Sequence, residues 1–442
     1  MRKKVVDISK RIFEIQLLAE GAAVGALTGI IVSVFRCLLD YSDQIRFALY
    51  TDYASMHPEV MIGWFVLLFC IAWLLQRINQ IDPDISGSGI PQVKGILRGW
   101  LKIRWLRVLF LKLLGAVLGI GAGLSLGRQG PSVQFGACIG QGISHLRRRI
   151  RRREEKCLII SGAGAGLAAA FNAPLAGVVF CIEELSYHIS SFQILAGIIA
   201  AMTATAVSQA FFGIGPIFEL GSLPHVEIGT QYLCFILLGI FCGFLGMLFN
   251  RGLLFSMDVY ERMQLRGMRR YLFPLLLAGG LGFVLPDILG GGNLLVDRIL
   301  NFEYEIKFLA LLFLGKFFFT LLCFGSGSPG GIFLPMMALG AVSGAIFGKT
   351  AVFFGWMEPS YMQCCIVFGM AALFSGAVKS PVSSSILIME LTGSFDHLLI
   401  LLCISLSACM VLDMTKFTPI YDAILQRNRR LQIKNAHLRD KA

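Results

Sequence analysis

The stretch LGRQGPSVQFG, residues 126–136, sets Arg128 and Gln129 between two glycines, just ahead of Pro131, inside a long apolar region. In hydrocarbon, an interrupted helix is tolerated only where its freed backbone groups are used. The segment therefore predicts a loop feeding a new helix. Its surroundings support this: the 442 residues are 56% hydrophobic and 15% charged, against about 25% charged in soluble domains. Apolar stretches recur from about residue 17 to residue 413, where roughly 20 residues make one crossing. Those at 105–126, 162–182 and 308–323 read as short or broken by Gly and Pro. The expected fold class is an all-α polytopic membrane protein with broken, half-spanning helices.

The net charge of +12, from 39 basic and 27 acidic residues, does not point to nucleic acid. The basic residues stand in membrane-flanking runs, Arg147 to Arg153, Arg262 to Arg270 and Arg427 to Arg439. The positive-inside rule then puts both termini in the cytosol, and short loops suit a prokaryotic inner membrane. MRKKVVDISKR leads into an apolar stretch with no small-residue cleavage site, so no removable signal peptide is expected. The twelve cysteines lie singly apart from Cys364-Cys365 and read as buried, inert thiols. No HExxH, CxxC or phosphate-binding GxxxxGK[ST] occurs, so neither a metal nor a cofactor is expected. GLSLG (123–127) fits GxSxG, but Ser125 lies in an apolar segment and the six histidines show no partner motif. Enzymatic activity is not expected.

Three stretches repeat in the same order at nearly constant spacing. Gly25, Gly29 and Phe35 match Gly239, Gly243 and Phe249. Gly127, Pro131, Gly136, Ala137 and Gly140 match Gly331, Pro335, Gly340, Ala341 and Gly344. Pro174 and Glu183 match Pro381 and Glu390. The pattern predicts residues 17–215 as a first membrane repeat and 230–426 as a second, flanked by a cytosolic segment (1–16) and a basic cytosolic tail (427–442). Odd or partial spans in each half predict opposite orientations. Inverted repeats of this kind place an ion site near the midplane, between broken helices.

SGSGIP (86–91), GRQGP (127–131) and GSGSPGGIFLP (325–335) combine Gly, Ser and Pro where a helix would otherwise continue. Each reads as a loop entering a helix N-terminus, which offers free N–H groups and about half a positive charge. Three converging N-termini form an anion cage with no full positive charge. Such a cage leaves binding weak enough for release, as conduction requires.

At these residues the chain resembles the CLC family of chloride channels and chloride/proton antiporters, whose signatures are GSGIP, GREGP and GxGxPGGIF-P. GLAAAFNAPLAGVVFCIEEL (166–185), LPDILGGGN (285–293), MELTG (389–393) and PIYDAIL (419–425) add to the likeness, which runs from about residue 20 to residue 426. The cytosolic CBS domains of many relatives are not expected here. The resemblance implies chloride ligation by the Ser88 and Tyr421 hydroxyls and by the amides of Ile332 and Phe333. An external site would use amides around Gly130 and the turn through Leu334, with Gly331 and Arg128 in support, and Lys112 corresponds to a supporting basic residue below the pore. It implies that Glu184 corresponds to the internal proton-transfer glutamate, although Glu183 and Glu184 are also placed to mark a helix end at the membrane surface. A homodimer with one pathway per subunit follows from the same likeness. Serine at position 88 goes with chloride in this family, whereas proline goes with nitrate and other residues with fluoride export.

Gln129 departs from the family, which has a gating glutamate there. Glutamine matches a protonated glutamate in shape but does not ionise. The expectation is chloride transport that is channel-like or uncoupled from protons at this external gate. The alternative is a chloride/proton antiporter in which Gln129 is bypassed or is an engineered substitution. Retention of Glu184 favours that alternative. A fluoride transporter or an organic-anion transporter is a further alternative, although the site offers a carboxylate no cationic clamp.

Overall fold

The computed structural model describes residues 2–53, 58–147, 151–186, 190–218, 220, 223–226, 229–265, 267–301 and 304–439. Residues 148–150 and 266 of the basic runs and 440–442 of the expected basic tail lie outside them. Apart from one isolated bridge, the described residues form helices joined by turns and irregular segments. The first half holds α1 (Arg2–Ala48), α2 (Pro58–Ile81), α3 (Ile90–Leu97), α4 (Trp105–Gly121), α5 (Gln129–Leu146), α6 (Arg152–Phe171), α7 (Pro174–Phe180) and α8 (Ser191–Phe212). The second holds α9 (Thr230–Arg262), α10 (Arg269–Val284), α11 (Asn293–Asn301), α12 (Ile306–Gly325), α13 (Phe333–Phe353), α14 (Met362–Val378), α15 (Pro381–Thr392) and α16 (Leu398–Met414). A last helix, α17 (Ile420–Arg439), follows. Among the described residues, eight helices are long and apolar enough to cross a membrane. The chain is therefore a multi-pass integral membrane protein.

The two sets of eight correspond in order. α1 packs on α6 and α8, and α5 on α6; likewise α9 packs on α14 and α16, and α13 on α14. Small residues make these contacts possible. A Cβ on Gly136 would lie 1.8 Å from the Gly162 carbonyl oxygen, and one on Gly340 would lie 2.4 Å from that of Gly369. α6 and α14 both end on a left-handed residue, Asn172 (φ 57°) and Lys379 (φ 68°). Each is followed within two residues by the proline that starts α7 or α15. Proline suits the first turn because its missing N–H has no partner to lose there.

The expected breaks hold at 105–126, where α4 ends at Gly121 before α5 begins, and at 162–182, where α6 gives way to α7. The stretch 308–323 differs, because it lies within the unbroken α12. A single internal Gly315 costs a helix only about 1 kcal/mol, too little to end it.

Candidate anion site

Gly127 and Gly331, which the repeat alignment pairs, exchange two backbone hydrogen bonds as an antiparallel bridge. The Gly127 N–H donates to the Gly331 carbonyl (2.6 Å), and the Gly331 N–H donates to that of Gly127 (2.8 Å). The chain turns into α5 just after the first glycine and into α13 just after the second. Opposed starts of equivalent helices are what an inverted repeat requires.

The third Gly-rich segment meets them. A Cβ on Gly130 would lie 2.5 Å from both the carbonyl and hydroxyl oxygens of Ser88, and 3.1 Å from the Gly331 Cα. The starts of α3, α5 and α13 thus adjoin, and none receives a side-chain cap. Ser88, Gln129, Ile332, Phe333, Leu334 and Tyr421 are all buried around this junction. The Ser88 and Tyr421 hydroxyls adjoin each other, and neither makes a well-formed hydrogen bond to the described residues. Phe333 closes the wall, with its ring centroid 4.1 Å from Phe374 and 5.6 Å from Phe171. Uncapped N-termini, orphaned hydroxyls and aromatic edges suit a small desolvated anion.

Gln129 is fully buried, and neither its amide nitrogen nor its oxygen has a partner among the described residues. Its side chain folds back over Gly127, where a Cβ would lie 2.6 Å from the Gln129 Oε1. Arg128 points away and pairs with Asp40 on α1 (3.3 Å). It therefore supports the loop and does not touch the junction.

Lys112 holds the Ser88 loop from beneath. Its buried ammonium donates to the carbonyls of Ile85 (2.7 Å) and Gly87 (2.5 Å). Sequence reading missed its counterpart, Lys316, which donates to Ile288 (3.0 Å) and Gly290 (2.7 Å). The signal was present, since Pro83-Asp84-Ile85 recurs as Pro286-Asp287-Ile288.

The two adjacent glutamates differ in what they do. Glu183 accepts from the amides of Val382 (3.2 Å) and Ser383 (2.7 Å), capping α15. Its repeat partner Glu390 caps α7 through Leu175 (3.1 Å) and Ala176 (2.7 Å). Glu184 instead faces the inside of the protein, 8% exposed, accepting from Lys94 (2.7 Å) and Ser380 (3.0 Å). Lys94 also holds Asp422 (2.8 Å), the residue after Tyr421, and Arg98 pairs with the same carboxylate. Burial raises the Asp422 carboxyl, but Lys94 and Arg98 outweigh it and hold the group below the ordinary carboxylate range. Lys94, Arg98, Asp422 and Ser380 were not found from sequence. A lysine two residues beyond GSGIPQ and an aspartate next to Tyr421 were the available cues.

A cavity of about 550 Å³ runs from Gly87 and Ser88 to the flank of α17, where Arg427 and Arg429 line it with Arg270. The Ser125 hydroxyl is buried and hydrogen-bonded with that of Thr320 (2.7 Å).

The sequence profile of the family described as voltage gated chloride channel matches residues 67–413. A relative from Vibrio cholerae serotype O1, named H(+)/Cl(-) exchange transporter ClcA, is 35% identical and aligns over 98% of this chain and 95% of its own. A Citrobacter koseri relative of the same name is 32% identical over 95% and 91% of the two chains. The crystal structure of a slow cyanobacterial Cl-/H+ antiporter matches with TM-score 0.86 and 32% identity, covering 94% of this chain and 98% of that one. A eukaryotic CLC transporter shares the fold, with TM-score 0.76 and 24% identity over 94% and 74% of the chains. With the three signature segments meeting at one buried junction, the chain belongs to the voltage-gated chloride channel (CLC) family and is an anion transporter of that type.

Proposed function

We propose that the chain carries chloride across a prokaryotic inner membrane, both termini in the cytosol, as a chloride/proton exchanger of the kind its relatives are named for. The observation that carries the anion reading is the pair of orphaned hydroxyls, Ser88 and Tyr421, at the junction of three uncapped helix starts. In this reading the two hydroxyls and the amides of Ile332 and Phe333 ligate a central chloride. Amides around Gly130 and Leu334 ligate an outer one. The repeats run over 17–215 and 230–426, and the protein works as a homodimer with one pathway per subunit. Glu184, buried yet held by an ammonium and a hydroxyl, supplies the inner proton acceptor.

One observation favours a second reading, in which chloride flow is uncoupled. Gln129 occupies the outer gate position, and an amide neither ionises nor competes with chloride as a tethered anion. Exchange therefore takes its outer proton step past Gln129, not through it. Proteoliposomes loaded with chloride test the two, with chloride efflux and internal pH recorded together. Proton uptake at a fixed ratio to chloride release is expected. Chloride release with no proton movement replaces exchange by the uncoupled reading.

A further inference from the structure

Lys94 joins three parts of the inner end that the chloride site does not itself connect. It lies on α3, whose approach carries Ser88. Its ammonium bridges Glu184 at 2.7 Å and Asp422 at 2.8 Å, and it is 4% exposed. Asp422 follows Tyr421 in the first turn of α17, so the same ammonium that neutralises Glu184 also fixes the segment presenting the Tyr421 hydroxyl. Lys94 and Arg98 are the cations paired with Glu184 and Asp422. A proton on Glu184 removes one negative charge and one acceptor, leaving the Lys94 charge less compensated beside Tyr421 in a site of low dielectric.

We infer that Lys94 is the positioning residue through which proton occupancy of Glu184 is read at the inner chloride gate. With Glu184 ionised, Lys94 is shared between the two carboxylates and holds Tyr421 against Ser88. With Glu184 protonated, the Lys94–Glu184 pair is lost, and the less compensated charge draws chloride to the Tyr421 end. The charged or titratable groups acting on Glu184 are Lys94 from α3 and Asp422 and Tyr421 from α17, with Arg98 acting through Asp422. Ser380, ahead of α15, supplies a neutral donor. The inference rests on the reading of Glu184 as the inner proton acceptor.

The test measures chloride efflux from proteoliposomes against inner pH, in the full chain, for the wild type and four variants. Lys94→Met removes the charge, Lys94→Arg keeps it, Glu184→Gln removes the titrating group, and the last combines Lys94→Met with Glu184→Gln. If Lys94 reads the carboxylate, removing its charge leaves a proton on Glu184 nothing to act through. Flux should therefore lose its dependence on inner pH in Lys94→Met and keep it in Lys94→Arg. The double variant should match Lys94→Met alone, because the carboxylate's effect passes through the lysine. A Lys94→Met profile that still titrates, in place or displaced along the pH axis, or a double variant that matches Glu184→Gln, overturns the inference. Size-exclusion elution of each variant in detergent separates misfolding from function. Lys94→Arg keeps the claim testable if Lys94→Met does not fold, since a wild-type profile with arginine supports it and a displaced one opposes it. Chloride flux against pH needs no proton movement. A wild type that moves chloride without protons thus sinks exchange while leaving the Lys94 result to be read separately.

Discussion

Lys112 and Lys316 occupy equivalent places in the two halves, and both are fully buried with their ammonium groups on two loop carbonyls. The loops they hold are not alike. Lys112 supports Ile85–Gly87 directly ahead of Ser88, whose hydroxyl faces Tyr421. Lys316 supports Ile288–Gly290 ahead of Gly291 and Gly292, which bring no side chain to the junction. The glutamates repeat the lesson. Glu183 and Glu390 cap each other's half in matched fashion, whereas Glu184, which pairs with Lys94, has Leu391 as its counterpart. Duplication thus provides a symmetric frame, and single residues make the pathway different at its two ends.

Breaking each cradle is the severest trial of that contrast. Lys112→Met and Lys316→Met each remove two hydrogen bonds from a charged donor, at about 1.5 kcal/mol or more apiece. Both should lower stability by about 3 kcal/mol in thermal unfolding of the detergent-solubilised protein. Only Lys112→Met should also weaken chloride binding measured calorimetrically, because only its loop carries a ligand. Equal loss of chloride affinity in Lys316→Met would contradict the division of labour between the halves.

Gln129 sharpens the comparison next, because its counterpart in the other half is the apolar Phe333. Gln129→Glu places an ionisable group on an uncapped helix start, where an anion gains about 1 kcal/mol or somewhat more. Outward-side chloride flux at neutral pH should fall on the order of tenfold, as 1.4 kcal/mol corresponds to one decade. It should recover as outer pH drops and the carboxyl takes a proton. A variant whose flux ignores outer pH would show that position 129 is no gate in this protein.

The frame was far more legible in the sequence than the ion network. Gly127 and Gly331 were paired by alignment, and they hydrogen-bond to each other, because glycine and proline positions are dictated by local backbone geometry. The Pro83/Pro286 correspondence escaped notice because the loops that follow have diverged, SGSGIP against LGGGNL. Nothing local distinguishes the cap Glu183 from the buried Glu184. Their partners lie about 90 and 200 residues away in sequence for Lys94 and Ser383, so the distinction exists only after α3, α15 and α17 have packed. Lys112 was expected as a supporting residue below the pore, but no local pattern announces its contacts, both to carbonyls of the loop ahead of Ser88.

The smallest effect probes the symmetry itself. Glu183→Gln leaves one acceptor over the α15 start and removes the charge, and Glu390→Gln does the same at α7. Each should cost about 1 kcal/mol, the usual worth of an N-terminal cap. Since α7 packs against α15, the two caps brace the same helix pair from opposite sides. Loosening either start frees the partner helix, so the double variant should lose less stability than the two singles added together, as coupled sites do. Strictly additive losses in the thermal unfolding of all three variants would mean that the caps act independently. The reciprocal contact would then be an inheritance of the duplication and not a clamp between its halves.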